Sequence, residues 1–259
     1  RHPKFRFIMV NSPVLLILFL GLQRTIAWSR GTLFPNAVQV TSTDTETLIK
    51  QTGQVGPSEA AKACGGMCQH GYAQVFQMNP LPSSGRINSG IIKLTCPLLV
   101  HAVDALEDEG FMEVVNTRIA QNASLTKAMH DAHVEHAEYR KSMLTESDHD
   151  KIKSKIGERG AKAFMQAGVA GSSIQSMDVK CLHAWLGDYL FRRSESPVGK
   201  MVADELKRRG ITLHGDIACS LFCTGKIPPP TPRNKQRHKT SKEIARRKRR
   251  RMEAKLRSN

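Results

Sequence analysis

The sequence has few aromatic residues and lacks the local motifs of several common enzyme classes. Phe, Trp and Tyr make up only 5% of the 259 residues, so the core must be built mainly from aliphatic side chains, Met and Ala. There is no Cys-x-x-Cys redox pair, no Gly-rich phosphate-binding loop and no Ser nucleophile elbow. No paired-carboxylate motif can be recognised by its spacing either. No local motif therefore assigns the chain to one of these classes.

Negative charge is scarce at the two ends of the chain, where most of the positive charge lies. The net charge is +16, but residues 226–259 hold 14 Lys or Arg against two Glu. Residues 1–30 hold five basic residues and no acid, whereas residues 31–225 are nearly neutral. With 40% hydrophobic residues in the chain, the central stretch is long enough for one globular domain, which we place at 64–225.

Residues 1–27 have the layout of a secretory signal peptide. Basic residues come first, an apolar run follows from Val14 to Leu22, and Thr25 and Ala27 supply the small residues of a cleavage site. The apolar run is well short of the roughly 20 residues that span a bilayer. We therefore expect no stable membrane span once this leader is removed.

The segment 28–63 is predicted to be transit-like or disordered, because it is rich in Thr, Ser, Gln and Gly. Cleavage after Ala27 would place Trp28 first, ahead of a hydroxyl-rich and basic stretch. That order resembles the bipartite leaders of algae with complex plastids, which implies delivery to a plastid. The alternative destination is the secretory pathway.

Residues 226–259 are predicted to form a Pro-rich spacer followed by a helical or disordered basic arm. No aromatic residue follows Phe222, so base stacking is unavailable, and a salt-sensitive contact with the phosphates of RNA or a ribonucleoprotein is expected. The alternatives are a solvated tail without a partner and a nuclear localisation signal. The cations that would make the contact are Arg246, Arg247, Lys248, Arg249, Arg250 and Arg251.

The central stretch predicts an α+β fold that is mostly helical. "YAQVFQMNP" (72–80) and "SGIIKLT" (89–95) have the pattern of two strands, and about four to five packed helices follow them. One helix begins at Pro97, a long one covers 124–144, and Asp178 is the predicted cap of a third. The charged residues 145–160 are predicted to form a surface connector.

Five motifs appear in an order that resembles the mostly bacterial family named domain of unknown function 501. They are "CQHGYAQVFQ", "LTCPLLVHAVDALEDEG", "HVEHAEYR", "VKCLHAWLGDYL" and "SPVGK", and the resemblance covers about residues 64–223. The chain departs from the pattern at Gln69 and His70, where a Pro-Tyr pair is usual, and at Ser196, where Asn is usual. The resemblance implies a fold class and no established activity.

Five of the six cysteines are candidate ligands for zinc or an iron–sulfur cluster. Cys96 and Cys181 lie at predicted helix starts, where amide donors and the positive helix end favour the thiolate. Cys68 and either Cys219 or Cys223 would complete the site. The alternatives are small buried thiols and, in the secretory pathway, a disulfide framework. On a helix, Cys181 and His183 would point about 200° apart, so we expect that they cannot hold one ion together.

His136, Tyr139, Arg140 and His183 are expected to form a polar cluster that binds an anion or joins helices. Two functions remain open. The first is a non-enzymatic, metal-stabilised domain in an organelle, tethered to RNA by its basic arm. The second is an enzyme that uses a helix-N-terminal cysteine or a Cys-bound metal on an unknown substrate. The sequence makes no prediction about oligomeric state.

Overall fold

In the computed structural model, which describes residues 33–34, 36–192 and 195–228, a small antiparallel sheet precedes most of the helices. The strands of this sheet follow chain order and are β1 (Val38–Gln39), β2 (Ala61–Gly65), β3 (Val75–Met78) and β4 (Ile92–Leu94). Every residue of β3 is buried, with Val75 and Phe76 in two separate hydrophobic clusters. Since successive side chains of a strand point to opposite faces, both faces of the sheet are covered.

The helices of the described residues confirm the predicted α+β, mostly helical class. The two predicted strands correspond to β3 and β4, and the sheet gains β1 and β2 on its other side. The helices are α1 (Ser42–Thr52), α2 (Gly56–Ala60), α3 (Pro97–Asp108), α4 (Phe111–Gln121), α5 (Ala123–Ser142), α6 (Glu146–Met165), α7 (Leu182–Arg192), α8 (Pro197–Arg208) and α9 (Ser220–Cys223). Residues 145–160, predicted to be a connector, belong mostly to α6, which a capping box of Thr145 and Asp148 begins.

The expectation of disorder for residues 28–63 is wrong for the part that the structure describes. A capping box of Thr41 and Asp44 begins α1, which buries Leu48 completely. Leu48 belongs to the same hydrophobic cluster as Phe76 of β3. The polar composition of this segment masked a helix with one apolar face, and the folded domain therefore begins before residue 64.

Helix α7 lies at the centre of the main core, between the sheet and α8. A Cβ atom on Gly187 would lie 2.6 Å from the Cγ2 atom of Ile92 in β4. A Cβ atom on Gly199 would lie 2.1 Å from the carbonyl oxygen of Trp185. These two glycines therefore let α7 approach the sheet on one side and α8 on the other. Within the described residues, no helix has both the length and the apolar character needed to cross a membrane.

Replacing Gly199 should weaken the contact between α7 and α8. We expect Gly199→Ala to lower the free energy of unfolding by about 1–3 kcal/mol, because the added methyl group would overlap a backbone oxygen that cannot rotate away. Urea unfolding would measure this loss. Gly56→Ala is the matched control, since a Cβ atom there meets nothing within 4 Å. Equal losses in the two variants would contradict the close approach of the helices.

Candidate functional site

Three side chains that can bind a metal ion or activate a nucleophile meet where α3 ends and α7 begins. The Sγ atom of Cys181, a ring nitrogen of His183 and a carboxylate oxygen of Glu107 all lie within 4.8 Å of one another. The Sγ atom is 3.9 Å from Nδ1 of His183, and that nitrogen is 3.2 Å from Oε1 of Glu107. No other three His, Cys, Asp or Glu side chains among the described residues are gathered this closely.

The start of α7 is fixed by a residue from another helix. Oε1 of Glu107 accepts a hydrogen bond from the Leu182 backbone amide at 2.9 Å, and α7 begins at that residue. Just upstream, the amide of Val179 donates to the side-chain oxygen of Asn116 at 2.8 Å. Residues 179–181 have no regular secondary structure. The predicted cap at Asp178 is therefore wrong, because tertiary acceptors delay the helix by about one turn.

This later start also corrects the prediction that Cys181 and His183 point apart. The angle of about 200° holds only when both residues are helical. Cys181 precedes the first helical residue, and its sulfur lies on the same side as the ring of His183. The two residues can therefore act on one ion or one substrate.

The imidazole of His183 is surrounded by acceptors. Its Nε2 atom lies 3.3 Å from the carbonyl oxygen of Val100 and 3.4 Å from Oδ1 of Asp104, while Nδ1 faces Glu107 and Cys181. Burial alone would lower the pKa of His183, but the hydrogen bonds with Cys181 and Glu107 raise it to about 9. The ring is thus protonated at neutral pH.

The same contacts shift Cys181 toward its thiolate. Burial would raise the pKa of this thiol, but the hydrogen bond and positive charge of His183, with the amide of Ala184, lower it overall. The side chains of His183 and Glu107 are 15% and 13% exposed, and Cys181 is partly exposed. Solvent and a small reagent can therefore reach this pair.

A family model for a protein of unknown function (DUF501) matches residues 65–204, which is more than half of the chain. The chain belongs to the DUF501 family. Glu107, Cys181 and His183 all lie within the matched region, so this site is part of the DUF501 domain and not of the two ends. No match was found among curated proteins or among solved structures.

The other candidate cysteines of the DUF501 protein lie apart from Cys181. Cys96 precedes the first residue of α3, whereas Cys181 contacts Glu107 in its last turn. Among the described residues, the one close group of three metal-binding side chains that contains Cys181 is the group with Glu107 and His183. The structure therefore does not gather Cys181 with Cys96, Cys68, Cys219 and Cys223 around one ion. All six cysteines are free thiols.

The four residues of the predicted polar cluster have four separate sets of hydrogen-bond partners. His136 contacts Oδ1 of Asp188 at 2.8 Å, and both side chains are buried. The Tyr139 hydroxyl donates to Gln77. Arg140 is fully buried and donates to four backbone carbonyls, which belong to Ser89, Phe164, Ala167 and Gly168. His183 belongs to the site with Glu107, so Arg140 joins segments of backbone and the four residues do not form one anion site.

Two site residues were missed from the sequence alone. Asp104 and Glu107 lie three positions apart on α3, a spacing that places both side chains on one face of a helix. That pair is a weak signal, because carboxylates at this spacing are common on solvated helices. The basic run 246–251 and the leader 1–27 lie outside the described residues, so RNA contact and organelle targeting stay predictions.

We predict that, in the protein stripped of metal by a chelator, iodoacetamide modifies Cys181 well before the buried thiols. Burial and the nearby charge of Asp44 raise the pKa of Cys64 to about 12. Burial raises the pKa of Cys223 to about 11. His183→Gln removes the positive charge and should raise the pKa of Cys181, which slows its modification at pH 7 by about tenfold per pKa unit. Mass spectrometry of the labelled chain would give both rates.

The matched control is His101→Gln, the same substitution at an exposed histidine of α3. It should leave the rate at Cys181 unchanged. An ordinary cysteine loses reactivity as the pH falls below its pKa. Because the pKa of Cys181 is lowered, the modification rate in the wild type should begin to fall only at a lower pH. Identical pH profiles for the wild type and His183→Gln would show that the imidazole does not activate the thiol.

Proposed function

We propose that the DUF501 domain binds zinc through Glu107, Cys181 and His183 and uses the ion to activate water. Zinc bonds to sulfur at about 2.3 Å and to nitrogen or oxygen at about 2.0–2.2 Å. Tetrahedral angles then separate sulfur from nitrogen by about 3.5 Å and nitrogen from oxygen by about 3.3 Å. The corresponding distances in the chain are 3.9 Å and 3.2 Å. These distances are the observation that carries the proposal.

The second ring nitrogen of His183 supports the same assignment. A zinc-bound histidine usually donates its other N–H group to a carboxylate or a backbone carbonyl, which orients the ring. Nε2 of His183 has both acceptors, the carbonyl of Val100 and the carboxylate of Asp104. Nδ1 would then lose its proton to become a ligand, and the lowered pKa of Cys181 favours the thiolate that zinc requires.

Three protein ligands correspond to a catalytic rather than a structural zinc site. Structural zinc usually has four protein ligands, whereas catalytic zinc keeps one position for water or substrate. Zinc lowers the pKa of its bound water to about 7 and polarises a carbonyl or phosphoryl oxygen. The proposed reaction class is therefore zinc-dependent hydrolysis or hydration of a small substrate that reaches the partly exposed site.

A second candidate is covalent catalysis by the Cys181 thiolate. The lowered pKa of Cys181 and the raised pKa of His183 describe a thiolate paired with an imidazolium, the usual activated form of a catalytic cysteine. Glu107 would orient the imidazole in this case. The two candidates differ in one observable property, because zinc at this site would coordinate the sulfur and block its alkylation.

Metal analysis of the full chain tests the zinc proposal. We expect the wild type to bind zinc at this site, and Cys181→Ser, His183→Gln and Glu107→Gln each to lose affinity for this ion by more than tenfold, because each removes a ligand. Asp104→Asn should weaken zinc binding by about 10- to 100-fold without abolishing it. The Asp104 carboxylate would accept a hydrogen bond from the zinc-bound His183 and would not contact the ion itself. Titration with zinc after chelation, followed by elemental analysis, would measure these affinities.

His101→Gln again serves as the control and should bind zinc like the wild type. Added zinc should also protect Cys181 from iodoacetamide in the wild type. If Cys181 reacts equally fast with and without zinc, and His183→Gln binds zinc as tightly as the wild type, the zinc proposal fails. Fast alkylation that depends on His183 would then favour the thiolate enzyme.

A further inference from the structure

We infer that Cys68, Cys96, Cys219 and Cys223 form a second, purely structural zinc site, which we call the cysteine cluster. Cys68 lies in the loop after β2, and Cys96 lies at the start of α3. Cys219 and Cys223 lie at the two ends of α9. All four are at least 92% buried.

Cys219 and Cys223 are four residues apart across the single turn α9, a spacing that places two side chains on one face of a helix. Cys219 lies beside Cys68 across Gly215, and Gln51 joins Cys223 to Thr95, the neighbour of Cys96. The four thiols therefore lie in one region of the domain.

One support comes from a buried amide directed at the sulfur of Cys96. Nε2 of Gln74 donates to Sγ of Cys96 at 3.7 Å. A neutral thiol is a weak acceptor, so this donor suits a thiolate better. A bound zinc ion would hold the sulfur as a thiolate.

A second buried amide is directed at Cys223. Nε2 of Gln51 lies 3.3 Å from its Sγ atom, and Oε1 of the same side chain accepts from Thr95, the neighbour of Cys96. Gln51 and Gln74 are 5% and 2% exposed, so both amides are withdrawn from water. Their hydrogen bonds to sulfur are worth most when the sulfur carries negative charge. Both glutamines therefore provide the outer hydrogen bonds that metal-bound thiolates usually have.

The backbone brings Cys68 and Cys219 together across Gly215. Cys68 closes a tight turn in which its carbonyl accepts the Gly71 amide at 2.9 Å. A Cβ atom on Gly215, where φ is +89°, would lie 2.9 Å from Sγ of Cys219 and 3.5 Å from Cβ of Cys68. Only glycine allows this turn and this approach. The Gln69 amide donates to the His214 carbonyl at 2.7 Å and holds the two loops in contact.

The sulfurs must still move to bind one ion. No three of them lie within 4.8 Å of one another. Rotation of a cysteine side chain between staggered positions moves its sulfur by roughly 3 Å, so closure needs no refolding of the backbone. Zinc bound by four thiolates is a common structural site and requires no other reactant. Each thiol releases its proton to solvent when the bond to zinc forms.

This site would give the segment after α8 an anchor in addition to the packing of Ile211 and Leu213 against the core. Residues 211–219 contain no regular helix, and Ile217 is 92% exposed. Cys219 precedes the single turn α9 and Cys223 is its last residue, and both are buried. Zinc would therefore hold the end of the domain against β2 and α3. The basic residues 226–259 continue directly from this end.

Cobalt substitution of the full chain distinguishes the cysteine cluster from the site at Glu107. The intensity of the sulfur-to-cobalt charge-transfer band increases with the number of thiolates, which is four in the cluster and one at Cys181. We expect the wild type to bind two ions. Cys219→Ser should remove most of the band and one ion, whereas Cys181→Ser should remove one ion and little of the band. An absence of metal binding at one site can therefore be distinguished from an absence at the other.

Cys64→Ser is the matched control, because Cys64 is buried in the hydrophobic cluster with Leu48 and Phe76 and does not belong to the cysteine cluster. It should retain both ions and the full band. If Cys219→Ser does not fold, a measurement on the wild type provides the test instead. Zinc should protect Cys68, Cys96, Cys219 and Cys223 together from alkylation under mild denaturant. A one-thiolate band in the wild type, or no protection of these four residues by zinc, would overturn the inference.

Discussion

The carboxylate of Glu107 is the contact on which the geometry of the site depends. One oxygen accepts the amide of Leu182 and also faces Nδ1 of His183, so it both begins α7 and orients the imidazole. Because α7 begins there, Cys181 stays outside the helix with its sulfur beside His183. The thiolate then lies at the positive end of α7, which stabilises its charge. The carboxylates of Asp104 and Glu107 face the imidazolium and stabilise it in turn.

The two groups of candidate ligands use opposite ends of α3, because Cys96 precedes its first residue and Glu107 lies in its last turn. The group at its end combines sulfur, nitrogen and oxygen atoms and is partly exposed, as a site for chemistry requires. The group at its start contains only sulfur and is buried, as a structural site requires. Under the two proposals, the domain would perform a reaction at one end of α3 and anchor its C-terminal segment at the other.

Local sequence patterns were sufficient to predict the fold class but not the geometry of the candidate site. The long helix predicted over 124–144 is α5, Ala123–Ser142, because its apolar spacing and the Asn122 cap are both local signals. The favourable position of Cys181 at a helix start was also evident from the sequence. Its partnership with His183 was not, because Glu107, from a distant part of the chain, sets the first residue of α7. Similarly, the polar composition of residues 28–63 obscured α1, whose buried face depends on the sheet.

The central claim is that one ion is bound by Glu107, Cys181 and His183. Anomalous diffraction at the zinc absorption edge, on crystals of the full chain grown with zinc, tests it most directly. The account predicts a peak about 2.3 Å from Sγ of Cys181 and about 2.0–2.2 Å from Nδ1 of His183 and a carboxylate oxygen of Glu107. No peak between these three atoms at saturating zinc, with Nδ1 of His183 still hydrogen-bonded to Glu107, would contradict it.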